Sequence, residues 1–126
     1  MTAAARSLFV FGIYAVLAGL GLALAPDLVL APLGFPRSGD GWVRVVGVLA
    51  ACVGVYHISA ARHEVMPYIR SSVFVRVAFA LGLGALVATN AMPAPLLLFA
   101  AIDILGAVWT GLALRVRTST ATARTA

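Results

Sequence analysis

Asp103 interrupts the stretch "LLLFAAIDILGAVWTGLAL" (96–114), which is otherwise apolar enough to sit in lipid. Two neighbouring apolar stretches carry Arg44 with His57, and Arg76. An ionisable side chain at the centre of a lipid-embedded helix costs roughly 2.5–3.5 kcal/mol on insertion scales, so such groups face protein and find partners. The chemistry these residue types could perform is proton movement by Asp103 or His57, with arginine positioning a substrate or ligand. Tyr14 and Trp109 complete the set of candidate buried polar residues.

Spacing suggests who meets whom. Asp103 lies seven residues past Leu96, about 10 Å deep at 1.5 Å per residue. Arg44 is two residues past Trp42 in a stretch that starts from the same side. The difference in depth, some 7 Å on the same rise, is within reach of an extended arginine, which makes Arg44 the expected partner of Asp103. His57, Arg76 and Trp109 fall at a second common depth near the opposite side, with Tyr14 nearer the middle. At helical spacing Ser7, Tyr14, Ala18, Gly21 and Ala25 share one stripe. Arg44, Gly47, Ala51, Gly54 and Ile58 share a second, and Asp103, Gly106, Ala107 and Thr110 a third. Small residues beside polar ones let transmembrane helices approach closely, or leave room for a ligand.

Simpler readings stand beside these. Arg44 can snorkel to one set of headgroups and Arg76 to the other. His57 could ligate haem, but His63, six residues on, is beyond one helical turn and no second ligand is evident, so a hydrogen-bonded structural histidine is expected. The single cysteine, Cys52, reads as a small hydrophobe with no disulfide or zinc role. Nothing in the sequence resembles a Ser-His-Asp triad, a glycosidase carboxylate pair, an HExxH motif or a phosphate-binding loop.

The elements that must position these residues follow from composition. Of 126 residues, 63% are hydrophobic and only 10% charged, against about 25% charged in soluble domains. Mean hydropathy is +1.06. So little polar surface cannot coat a globule in water, and the implied solvent is lipid. Apolar segments at 8–25, 42–61, 72–89 and 96–114 each approach the roughly 20 residues a helix needs to cross hydrocarbon. The period-two alternation of a closed barrel is missing. The expected fold is all-α, an integral membrane four-helix bundle over 1–114 with a basic disordered tail at 115–126. The first segment resembles a secretory signal but is long for one, and Pro26 follows the would-be cleavage site, so it is expected to be retained. "LAGLGLALAP" echoes "LGLGALVATNAMPAP", which Gly, Ala and Leu richness explains without a duplication.

All nine basic residues are arginine, and the net charge is +5. They cluster at the ends of apolar runs, which argues for membrane use and against nucleic acid. Arg6, Arg62, Arg70, Arg115, Arg117 and Arg124 fall on one side of the expected topology, with only Arg37 in the loops of the other. The positive-inside bias then puts both termini in the cytoplasm.

"WVRVVGVLAACVGVYHISAAR", "SSVFVRV" and the 96–114 stretch together resemble the small bacterial four-helix membrane proteins of unknown function in the DUF4345 and DoxX-like neighbourhood. The resemblance implies a compact four-helix bundle and carries no established activity. The functional expectation is a multi-pass protein of the bacterial inner membrane with a polar site between helices. It would bind a small or lipid-like hydrophobic molecule or serve as an accessory or scaffold subunit. Alternatives are a small membrane enzyme, isomerase-like and in one version haem-dependent, using Asp103 or His57, and an oligomeric transporter subunit. The partners expected are the lipid bilayer, a hydrophobic small molecule and further copies of the chain.

Overall fold

The computed structural model describes residues 1–37 and 39–125. Ser38, in the first loop, and Ala126, at the end of the tail, lie outside the described residues. Every regular element among the described residues is helical: α1 (Ala3–Leu24), α2 (Pro26–Leu30), α3 (Trp42–Arg62), α4 (Met66–Ala88) and α5 (Leu97–Thr125), with short 3₁₀ turns at Ala31–Leu33 and Ala94–Leu96. Four of them, all but α2, are long and apolar enough to cross a membrane.

The boundaries have local causes. Ala25 leaves the helical region, and Pro26 starts α2 at a position where its missing N–H is no loss, with Asp27 at the favourable N-terminal end. The following 3₁₀ turn closes on Gly34 at φ 82°, a left-handed conformation suited to glycine. In the apolar part of the first loop, the sequence "LVLAPLGF" is therefore largely helical. At the far end of α3, Glu64 takes φ 49°, and Val65 N–H donates to the Ala60 carbonyl at 2.9 Å, closing the helix sharply. Pro67 then sits in the first turn of α4. A proline there opens a helix as readily as an internal one ends it. The third span consequently begins at Met66, six residues before the expected Ser72.

The fourth span also differs from expectation. It does not stop at Leu114 but continues as helix through Thr125, over most of the stretch expected to be a disordered tail. The hydroxyls of Thr118, Thr120 and Thr122 each donate to the carbonyl four residues back, at 2.9–3.0 Å. Such back-bonding keeps these side chains compatible with a helix.

Two compact units are present: Phe9–Ser59, and Met1–Leu8 together with the chain from Ala60 onward. In the first, α1 and α3 run antiparallel through glycine. A Cβ on Gly47 would lie 2.5 Å from Ala23 N and 2.6 Å from Gly19 O; one on Gly54 would lie 2.7 Å from Gly12 O and from Val16 N. The pairs Gly12–Gly54 and Gly19–Gly47 are thus reciprocal, and the seven-residue spacing on each helix keeps both in one seam. The Val29 side chain packs where a Cβ on Gly21 would project, folding α2 back along α1.

In the second unit α4 and α5 form an antiparallel hairpin joined through Asn90, at φ 58°, and the Ala94–Leu96 turn. The first residues of α1 belong here: Ala4, Ala5, Ser7 and Leu8 are buried, as are Ala61 and Ile69. Thr2 N–H donates to the Glu64 carboxylate, tying the start of the chain to the α3–α4 connection.

Candidate functional site

A charge pair with two hydroxyls beneath it occupies the interior of the second unit. Arg76 lies ten residues after the start of α4 and twelve before its end. At 1.5 Å per residue that is about 15 Å from the nearer end, near the middle of the helix. The residue is 3% exposed, so it does not snorkel. Arg76 Nε lies 4.0 Å from Asp103 Oδ1, and Arg76 Nη1 donates to Thr110 Oγ1 at 3.3 Å. Asp103 and Thr110 are seven residues apart on α5, two turns along one face, and are 7% and 0% exposed. The guanidinium, a planar fork with five donors, therefore reaches both at once.

The hydroxyl layer continues onto α1. Ser7, 1% exposed, places its Oγ 2.8 Å from Thr110 Oγ1 and 2.8 Å from the Ala4 carbonyl. Thr110 Oγ1 is also 3.0 Å from the Gly106 carbonyl. These three contacts share two hydroxyl protons, so the pair can exchange donor roles without moving a heavy atom. In either assignment Thr110 keeps a lone pair for Arg76. Ser72, also buried, turns its hydroxyl back to the Ile69 carbonyl at 2.8 Å. The residues around this layer are small: Ala80, Ala100 and Ala107 are all buried.

The expected partner of Asp103 was Arg44, and this is corrected: the acid pairs with Arg76. Arg44 instead donates through Nη1 to the carbonyls of Ala23 and Leu24 at 2.7 and 3.1 Å. Those carbonyls end α1 and have no partner within their own helix, and the C-terminal end of a helix attracts a cation. Arg44 is a cap supplied from α3. The reversal follows from the start of α4: counting from Ser72 put Arg76 near a membrane surface, and counting from Met66 puts it at the centre.

The other expected residues divide between the units. His57 is buried in the first, its ring 5.7 Å from that of Phe11, which in turn lies 5.5 Å from Tyr14. This aromatic trio brings together two residues singled out in the sequence and adds Phe11. No group of three or more His, Cys, Asp or Glu that could hold a metal is present among the described residues. Trp109 is half exposed, at 50%, and turns away from the polar layer that its neighbour Thr110 enters. Ser7 and Thr110 were visible in the sequence as members of small-residue stripes. What marks them as site residues is their shared contact, which no periodicity reveals.

Comparison of the chain with known protein families, with characterised proteins and with solved structures finds no match.

Proposed function

We propose that this is a multi-pass protein of the bacterial inner membrane that holds the polar end of a small or lipid-like hydrophobic molecule at the Arg76–Asp103 layer, as an accessory or scaffold subunit. The observation that carries the proposal is the burial of a full charge pair with two hydroxyls at mid-span. A chain this apolar could have closed the same hairpin with leucines. Replacing a buried ion pair with well-packed apolar residues is often neutral or stabilising, so stability alone does not account for the pair. Intramembrane ionisable residues in general mark sites of binding or transport. The arginine distribution supports an orientation with both termini cytoplasmic, because Arg37 alone lies in the opposite loops.

The test is the apolar exchange Arg76→Met with Asp103→Leu, in protein purified from membranes in mild detergent and extracted for mass spectrometry. The expected result is a folded protein that has lost one co-purifying hydrophobic molecule present with the unaltered chain. An identical extract from both proteins, with the fold intact, would reduce the layer to a packing device.

A further inference from the structure

We propose that the groove between α4 and α5 at their arginine-rich ends is a binding site for one anionic phospholipid, its phosphate held by Arg70, Arg115 and Arg117 and its acyl chain laid along Phe74, Gly111 and Leu114. The groove has a volume of about 840 Å³ and is lined from α4 and α5 alone. That size falls in the range of about 300–1,000 Å³ typical of small-molecule sites.

Its two walls have the same polarity gradient. On α4, Met66, Arg70 and Phe74 follow at four-residue steps and so share one face. On α5, Gly111, Leu114, Thr118 and Ala121 follow at three- and four-residue steps and share a face running in the opposite direction. The antiparallel arrangement sets Phe74, Gly111 and Leu114 on the mid-helix side of Arg70, Arg115 and Arg117, with Met66 and Ala121 beyond the arginines toward the helix ends. Arg70 is about 6 Å along α4 and Phe74 about 12 Å at the helical rise. This is the order in which a phospholipid presents phosphate and hydrocarbon to a protein edge.

Charge selects the headgroup. Three guanidiniums line the groove, and none of the chain's four carboxylates does. Arg117 Nη1 contacts Met66 Sδ across the groove mouth at 3.1 Å, so one cation is already held in place over it. Guanidinium presents paired donors to phosphate oxygens, and basic pockets between spans are where anionic headgroups bind. An inorganic anion would use the arginines but leave the apolar half of the groove unexplained. A zwitterionic lipid would fill the apolar half but bring its own cation against three others.

This inference rests on the reading of the long helices as membrane spans, and is independent of the Arg76 layer. The experiment uses the full chain in an uncharged detergent, titrated with phosphatidylglycerol, phosphatidylcholine or inorganic phosphate and read by native mass spectrometry. Phosphatidylglycerol should bind at one site, at least tenfold tighter than phosphatidylcholine. Arg70→Gln, Arg115→Gln and Arg117→Gln together should weaken it about a hundredfold, from roughly fivefold per basic group. A matched triple at Arg6, Arg62 and Arg124 should change it less than threefold. Gly111→Leu tests the apolar half: a Cβ there meets Val73 Cγ1 at 3.8 Å, an ordinary contact, so the larger side chain fills the groove without displacing backbone. It should abolish binding while the protein stays folded. Equal binding of phosphatidylcholine, equal loss in the matched triple, binding of phosphatidylglycerol unaffected by Gly111→Leu, or no binding of any probe would each overturn the proposal. Release of the chain from membranes by alkaline carbonate would instead overturn the span reading beneath it.

Discussion

Removing either half of the Arg76–Asp103 pair should destabilise the protein, and the two halves should not be equivalent. At 4.0 Å and an effective dielectric constant of about 20, the attraction between the charges is about 4 kcal/mol. Breaking a buried pair by removing one partner costs roughly 3–5 kcal/mol, because a charge is left without compensation. Asp103→Leu leaves a guanidinium at mid-span, and a guanidinium cannot give up its proton. Arg76→Met leaves a carboxylate, which can take one up and become neutral. The acid substitution is therefore expected to cost the full 3–5 kcal/mol, and the arginine substitution about half of that on the same principle. In the double variant neither charge remains, so its loss should fall at least 2 kcal/mol short of the sum of the single losses, a coupling within the range for residues in direct contact.

Equilibrium unfolding by titrating sodium dodecyl sulfate into mild-detergent micelles would measure this, with helicity as the signal. The four proteins form a double-mutant cycle. Additivity within about 0.5 kcal/mol would mean the two side chains do not interact. A larger loss from Arg76→Met than from Asp103→Leu would refute the protonation argument even if the coupling were present.

The glycine seam gives a second expectation from the same titration. Gly47→Ala drives a Cβ into the α1 backbone, at 2.5 Å from Ala23 N, and should cost about 1–3 kcal/mol or more. Gly82→Ala and Gly84→Ala meet nothing within 4 Å and should be neutral or stabilising by about 0.5–1 kcal/mol; the opposite ranking would remove the seam. A third expectation concerns acid. The Thr2 backbone N–H donated to Glu64 holds that carboxyl below its ordinary value of 4.5. Because the folded value is the lower one, the contribution is fully present above the ordinary value and is lost as pH falls through the folded one. Thermal unfolding followed from pH 7 to pH 3 should show an acid limb that Glu64→Gln flattens, and an unchanged limb would detach Glu64 from it.

How much of this was legible in the sequence depends on what each feature needs. Span count and type need only hydropathy over about 20 residues, and four helices long and apolar enough to cross a membrane are present. The second matches within one residue, 42–61 against Trp42–Arg62. The third fails at its start because Pro67 has two meanings, breaker inside a helix and opener at its first turn, and only the structure decides between them. That error of six residues moved Arg76 by about 9 Å in depth and so gave Asp103 the wrong arginine. Asp103 itself was legible, since a short acidic side chain in a long apolar run has few other uses. Arg44 was not, because its acceptors are backbone carbonyls, which carry no sequence signal. The Ser7–Thr110 contact depends on the rotation of α1 about its axis, and a stripe on one helix does not set its rotation against another.

Lipid gives helices no hydrophobic reason to associate, since tails are as apolar as leucine. Each unit must therefore supply its own attraction, and the two do so differently. Phe9–Ser59 brings backbones together at Gly12–Gly54 and Gly19–Gly47, where dispersion and the absence of side chains make the contact. That device has no ionisable part and responds to nothing but volume. The hairpin of α4 and α5 uses Arg76, Asp103 and Thr110, whose attraction is strong because the surroundings are poorly polarisable. A chain needing only to fold could have repeated the glycine seam. That difference in chemistry between the two units is what the proposed binding role at the second rests on.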